Sequence, residues 1–250
     1  MASTRRLIPL LALTLSAASS AFAEGLEVKS PDGRFVVSFS VRDVGAARAC
    51  PVYRVTWQGK TLVAESRLGL DLEGAPLREN LGLVGSTAVE GDSVWKPVCG
   101  ERAEIRDHYR ELAVELREIQ PQNRRLVVTF RAFNEGVAVS YTLPKQPGLE
   151  KARIAAEHTE FRFESDFPAW ATYQAQGLYE RVPLSKVKTG CERPLVIEAG
   201  ENVFVALAEA KLVDYARMKF APLPGTPHAL ESKLDGPVEA PTPLTTPWNR

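Results

Sequence analysis

Between Leu126 and Leu143 apolar residues occupy every second position of two short arms, a period that suits extended chain with one buried face and does not suit a helix. Leu126, Val128, Phe130 and Ala132 share one face of the first arm, and Val137, Val139, Tyr141 and Leu143 share one face of the second. Asn134-Glu135-Gly136 separates the arms, and Asn and Gly tolerate the positive φ angles that tight antiparallel connections often use. A β-hairpin is predicted here.

The same grammar recurs along the chain. Ser30-Pro31-Asp32-Gly33 reads as a turn, after which Phe35, Val37, Phe39 and Val41 alternate with smaller or polar residues as in a half-buried strand. Runs at 52–57 and 62–64 flank Gln58-Gly59-Lys60, a second hairpin. Further apolar runs at 68–72, 81–89, 161–163, 195–197 and 203–208 are broken by Gly, Pro, Asp or Asn. Many short strands at this spacing predict a mainly β chain folded as a large antiparallel β-sandwich.

One stretch reads two ways. Residues 101–119 hold no Gly or Pro, and Ile105, Tyr109, Leu112, Leu116 and Ile119 fall near helical spacing. Leu112, Val114 and Leu116 alternate equally well, and a strand here would pair with the arm that begins at Leu126. Two strands are expected.

The 250 residues suit one large all-β domain, since no polar linker divides the middle and no fixed-period repeat is present. Residues 1–23 have the anatomy of a signal peptide: Arg5-Arg6, an apolar run from Leu7 to Ala18, and Ala21-Phe22-Ala23 before the cut. That run is shorter than the roughly 20 residues of a spanning helix, so the expectation is cleavage after Ala23, a periplasmic or secreted product and no membrane span. Of 31 basic residues two leave with the leader, and against 31 acidic ones the mature formal charge becomes −2. With Lys and Arg scattered among Glu and Asp, nucleic acid is not an expected partner. Cys50, Cys99 and Cys191 would allow one disulfide and one leftover thiol, with the pairing open, and their spacing has no zinc rhythm. The sandwich is assigned to 24–221, because 222–250 carries Pro222, Pro224, Pro227, Pro237, Pro241, Pro243 and Pro247 and little apolar periodicity. It reads as an extended connector.

An ordered series of segments carries a family resemblance. Ser30-Pro31-Asp32-Gly33, Trp95-Lys96-Pro97-Val98 with Gly100-Glu101, Tyr109-Arg110-Glu111-Leu112, the Phe130 to Tyr141 hairpin, Glu157 with Thr159-Glu160-Phe161, Tyr179-Glu180, Ala208-Glu209-Ala210 with Asp214-Tyr215, and Thr246-Pro247-Trp248 together resemble the N-terminal domain of glycoside hydrolase family 97. The resemblance implies a super-sandwich similar to the galactose mutarotase-like fold, placed in those exported α-glucosidases and α-galactosidases beside a (β/α)₈ catalytic barrel. No eight strand-helix units follow here. The chain departs from the family at Cys99, where a second aromatic is common, and at Val139-Ser140, where a Phe-Arg pair is common.

Glycoside hydrolysis uses two carboxyl groups about 5 to 9.5 Å apart. The resemblance implies that they come from the barrel side, so no catalytic residue is nominated and the chain is not expected to be an enzyme by itself. Glu180 matches the glutamate that the family's N-terminal domain contributes as a calcium ligand, in a site incomplete in this chain. No cofactor is therefore expected for the isolated chain, and calcium is expected only if it joins a barrel. Implied partners are an α-glucoside or α-galactoside and a separate barrel chain.

Trp170, Tyr173 and Tyr179 are the expected sugar contacts, and Trp57 and Trp95 are expected in the core. Trp248 is expected to dock the tail or to have anchored the barrel. His158 and Glu160 would share a strand face, read here as a solvated strand end. An aldose epimerase would need a histidine and a glutamate converging on a sugar ring, and His108, His158 and His228 are scattered. A carbohydrate-binding sandwich is the leading reading; a fragment or split half of a calcium-dependent α-glucosidase or α-galactosidase, a mutarotase-like aldose epimerase and a ligand-free interaction module are the alternatives.

Overall fold

The computed structural model describes residues 25–120 and 122–250. The predicted signal peptide lies outside the described residues. In chain order the strands are β1 Leu26–Lys29, β2 Phe35–Val44, β3 Ala47–Trp57, β4 Lys60–Arg67, β5 Leu70–Leu72, β6 Ala75–Leu77, β7 Leu81–Trp95 and β8 Ile105–Glu118. There follow β9 Arg125–Phe133, β10 Gly136–Leu143, β11 Lys151–Glu157, β12 Glu160–Arg162, β13 Pro168–Ala171, β14 Glu180–Pro183, β15 Leu195–Glu198 and β16 Phe204–Leu207. The last are β17 Glu209–Ala210, β18 Met218–Pro222, β19 Ala229–Leu234, β20 Val238–Pro241, β21 Leu244–Thr245 and β22 Trp248–Asn249. Among the described residues the only helical turn is a 3₁₀ turn at Leu184–Lys186. No helix of the described residues is long and apolar enough to cross a membrane.

Two seven-stranded antiparallel sheets face each other. One runs β1-β2-β3-β4-β12-β19-β18; the other runs β17-β22-β10-β9-β8-β7, with β21 also paired to β10. Alternation explains the main core between them: Val37 and Phe39 from β2, Tyr53 from β3 and Leu126, Val128, Phe130 and Ala132 from β9 are all buried. Phe130 sits 5.8 Å from Phe39 and 6.0 Å from Tyr53, ring centre to ring centre. A four-stranded sheet, β20-β11-β5-β6, extends this core with Leu70, Leu72, Ile154 and Val238. The other four-stranded sheet, β14-β13-β15-β16, closes a second core against β12, β18 and β19, built around Phe161, Phe220, Leu230, Leu195 and Ile197.

The hairpin from β9 to β10 forms in the expected register, with Phe133 opposite Gly136 and Val139 opposite Phe130. Its turn differs from expectation. Neither Asn134 nor Gly136 takes a positive φ; the Asn134 side-chain oxygen instead accepts the Asp32 N–H at 3.0 Å, binding the two turns together. Positive φ angles are used at Gln58 and Gly59, 49° and 79°, where Trp57 pairs with Lys60.

Three other expectations are corrected, and the pairing left open among the cysteines is resolved. Residues 105–118 form one strand, not two, because β8 is paired along both edges, to β7 and to β9. Trp95 is 51 % exposed, since β7 is the sheet's edge strand and runs past the core; Trp57 is half-buried against Phe35. Cys50, Cys99 and Cys191 are free thiols, the first and last buried in the interior. The largest correction concerns 222–250, which is no connector. It supplies β19 to the interior of a seven-stranded sheet and β20 to β22 to two others. Trp248 does dock this segment, its ring 4.7 Å from the Arg131 guanidinium, which also lies 4.0 Å over Tyr109.

Candidate functional site

The sheet β14-β13-β15-β16 places the residues singled out above. Pairing sets Ala171 opposite Glu180 and Trp170 opposite Arg181, so Trp170 and Arg181 share the outer face and Glu180 begins its strand on the other. The connection 172–179 turns tightly: the Gly177 N–H donates to the Gln174 carbonyl at 3.0 Å, and a Cβ on Gly177 would lie 2.7 Å from Thr172 Oγ1. Only glycine lets the chain approach Thr172 this closely.

Neighbouring charges decide what each side chain is free to do. Arg181 donates from Nε and Nη2 to the two Glu198 oxygens at 2.9 and 2.7 Å, and Trp170 Nε1 donates to Glu198 Oε1 at 2.9 Å. The Arg181 hydrogen bond, above all, holds the Glu198 carboxyl below the usual range. Glu180 is thereby left without its adjacent cation. It is exposed, and among the described residues no hydrogen bond or ion pair engages its carboxylate.

The three aromatic residues separate. Tyr179 is 53 % exposed and Trp170 40 %. Tyr173 is packed on the second core, and its hydroxyl accepts the Lys188 N–H at 2.9 Å. Its hydroxyl braces the loop, while Tyr179 and Trp170 keep ring surface exposed.

Tyr179 also borders a recess of about 460 Å³ lined by Thr172, Gln174, Glu192, Arg193, Glu209 and Arg217. Glu192 is buried and lies 3.2 Å from Arg217 Nη2 and 3.4 Å from Lys219 Nζ. Glu209 lies 2.8 Å from Arg193 Nε and accepts the Met218 N–H at 3.2 Å. Burial pushes the Glu209 carboxyl above its ordinary value, with Arg193 opposing. Fixed carboxylates and guanidiniums beside an aromatic edge suit neighbouring hydroxyl groups, which donate to the former and accept from the latter. These four charged residues escaped the sequence reading because their ion pairs join distant segments. Only Glu209 had a signal, within Ala208-Glu209-Ala210.

Calcium takes six to eight oxygens. Among the described residues no group of three or more His, Cys, Asp or Glu side chains is placed to hold a metal ion. Glu180 offers a single carboxylate, so the residues present do not make a calcium site on their own.

The segment around His158 is not a solvated strand end. Glu157 and Glu160 are buried, the latter held by Arg67 Nε at 2.7 Å and Arg162 Nε at 2.8 Å. His108 pairs with Glu90, His158 with Asp71 and Glu231, and His228 with Asp166. No two of these histidines share a carboxylate, and His158 stands beside Glu231 at a recess that Glu160 also lines. Val139 and Ser140, where the chain departs from the family pattern, are both buried.

The sequence profile described as glycosyl-hydrolase 97 N-terminal matches residues 28–249. A retaining alpha-galactosidase of Bacteroides thetaiotaomicron is 25 % identical over 231 residues, covering 84 % of this chain and 32 % of that protein. A probable retaining alpha-galactosidase of Streptomyces bingchenggensis is 25 % identical over 199 residues, covering 78 % and 30 %. Among solved structures, a glycoside hydrolase family 97 enzyme from Pseudoalteromonas sp. strain K8, in complex with acarbose, superposes with a TM-score of 0.80 at 27 % identity, covering 90 % of this chain and 35 % of that one. A beta-arabinopyranosidase shares the fold, with a TM-score of 0.79 at 22 % identity over 90 % of this chain and 39 % of its own. The chain spans about a third of the length of the relatives it matches.

Proposed function

This chain belongs to the glycosyl-hydrolase 97 N-terminal family, and from that premise we propose that it is an exported carbohydrate-binding β-sandwich that is not catalytic alone. The ligand class is an α-glucoside or α-galactoside. Tyr179 supplies a stacking surface, Trp170 a second one, and the recess of Glu192, Arg193, Glu209 and Arg217 supplies hydroxyl contacts. Glu180 projects toward a catalytic domain, where it would contribute one oxygen ligand to a calcium ion.

The observation that carries this reading is the freedom of Tyr179 and Glu180 beside a fixed polar recess, while their neighbours Trp170, Tyr173 and Arg181 are each tied by hydrogen bonds. Solvating an exposed aromatic and an unpaired carboxylate at one rim gains the fold nothing. A ligand or a neighbouring domain accounts for both.

Calorimetry of residues 24–250 against maltooligosaccharides and galactosides at millimolar sugar tests it. Heat of binding is expected, with Tyr179→Ala weakening affinity by roughly tenfold, the loss of one aromatic contact of about 1.4 kcal/mol. Flat titrations with both sugar classes would overturn carbohydrate binding by this chain.

A second reading is one part of a split enzyme, since the family profile that matches residues 28–249 is described as the N-terminal part of a glycosyl hydrolase. A separately expressed family 97 barrel should then co-purify with the chain and gain calcium-dependent glycosidase activity. Glu180→Gln should lower that activity while leaving the chain's own sugar binding unchanged.

A further inference from the structure

We infer that His158 is a proton-operated clasp between two sheets of the sandwich. The residue lies between β11 and β12. Its Nε2 is 3.0 Å from Asp71 Oδ2 on β5, and its Nδ1 is 3.2 Å from Glu231 Oε2 on β19. β5 belongs to the four-stranded sheet β20-β11-β5-β6, and β19 lies inside a seven-stranded one. One imidazole thus spans two layers.

Donor arithmetic favours one protonation state. A neutral imidazole carries one N–H and one lone pair, so it satisfies a single carboxylate and turns its lone pair toward the other. Only the imidazolium donates to both. The backbone keeps the ring in place: the His158 N–H donates to the Gly69 carbonyl at 2.8 Å, and the Thr159 N–H donates to Ser232 Oγ at 3.0 Å. Ser232 Oγ in turn donates to the Glu157 carbonyl at 2.9 Å, so the chain is pinned on both sides of the histidine.

The surrounding charges favour the cation. A recess of about 370 Å³ brings Arg67, Arg78, Glu79, Glu160 and Glu231 around the ring. Arg78 Nε is 3.1 Å from Asp71 Oδ1, and Arg67 and Arg162 are engaged by Glu160. Asp71 and Glu231 remain the groups in contact with the imidazole. The Glu231 hydrogen bond is the main influence holding the imidazole pKa above its usual value, with burial and the Arg78 charge pulling the other way and Asp71 adding to the rise.

The sign of the pH dependence follows. The folded pKa lies above the unfolded one, so the clasp stabilises the fold fully below about pH 6.5 and releases as pH rises through the folded value. On release one of the two carboxylates loses its donor, and the edge of the recess loosens while the backbone pins persist.

Proton NMR of the His158 ring in the full chain, titrated from pH 5 to 9.5, should give a midpoint above the free-histidine value. Glu231→Gln should lower that midpoint. Urea unfolding completes the test. His158→Gln should unfold at a lower midpoint than the parent at pH 5.5, and the two midpoints should converge by pH 9. A His158 midpoint at or below that of free histidine, or an unfolding gap equal at both pH values, overturns the clasp; the NMR arm stands if His158→Gln does not fold.

Discussion

Ending the chain at Pro222 is expected to abolish cooperative folding. The removed segment contains β19, which is paired on one edge to β12, with Phe161 opposite Leu230, and on the other to β18, with Phe220 opposite Ser232. Leu230 is wholly buried in the second core, and Val238 of β20 is buried in the main one. Thr246 Oγ1 accepts the Tyr141 N–H at 3.0 Å, and Asn249 donates to the buried Glu157 carboxylate. Truncating Leu230 to alanine alone should cost about 2–5 kcal/mol. A typical domain has about 5–15 kcal/mol in all, so losing the strand, its backbone pairs and the buried Leu230 and Val238 side chains exceeds what is available. Full-length chain should show a sigmoidal urea transition, Leu230→Ala a transition at lower urea, and the truncated chain none. A truncated chain that melts within a few degrees of the full one would show that this segment is the connector its composition suggests.

The reason that segment misleads lies in where its prolines fall. Pro222 and Pro241 end strands, and Pro243 and Pro247 flank the short β21 and β22, positions where a missing N–H costs little. On β19 the inward positions include Ser232, buried because its hydroxyl binds the Glu157 carbonyl; a polar residue there erases the apolar alternation. By contrast β9 and β10 are legible because apolar and aromatic side chains fill their inner faces, with the Tyr141 hydroxyl the one polar group among them. β8 was legible as strand through its neighbour, since Leu112, Val114 and Leu116 match Phe130, Val128 and Leu126 across the ladder. The site follows the same logic. Glu180 and Tyr179 stand in a recognisable local run, whereas Glu160 finds Arg67 and Glu209 finds Arg193 only after the chain has folded. Local pattern reports burial of hydrocarbon, and it is silent on charges buried in pairs.

Replacing Arg124 with alanine should cost about 3–5 kcal/mol, because it strands a buried carboxylate. Arg124 and Glu118 are both buried and meet through two parallel hydrogen bonds, Nε to Oε2 at 2.9 Å and Nη2 to Oε1 at 2.7 Å. Nη2 also donates to the Pro76 carbonyl at 2.9 Å, so the pair ties the connection between β8 and β9 to β6. The hydrogen bond from Arg124 is the first cause holding the Glu118 carboxyl below its usual value near 4.5, against the burial that would raise it. A depressed carboxylate stabilises the fold above the unfolded pKa, and that contribution disappears as pH falls through the lower folded value. The gap between parent and Arg124→Ala should therefore be widest near neutral pH and narrow in acid. Replacing both residues, Glu118→Leu with Arg124→Met, should recover most of the loss, because no unmatched charge then remains inside. Urea midpoints at pH 7 and pH 3.5 for the three proteins decide the matter. A single-variant loss below about 1 kcal/mol at pH 7, the level of an exposed pair, would mean that water reaches the Glu118 carboxylate once the guanidinium is gone.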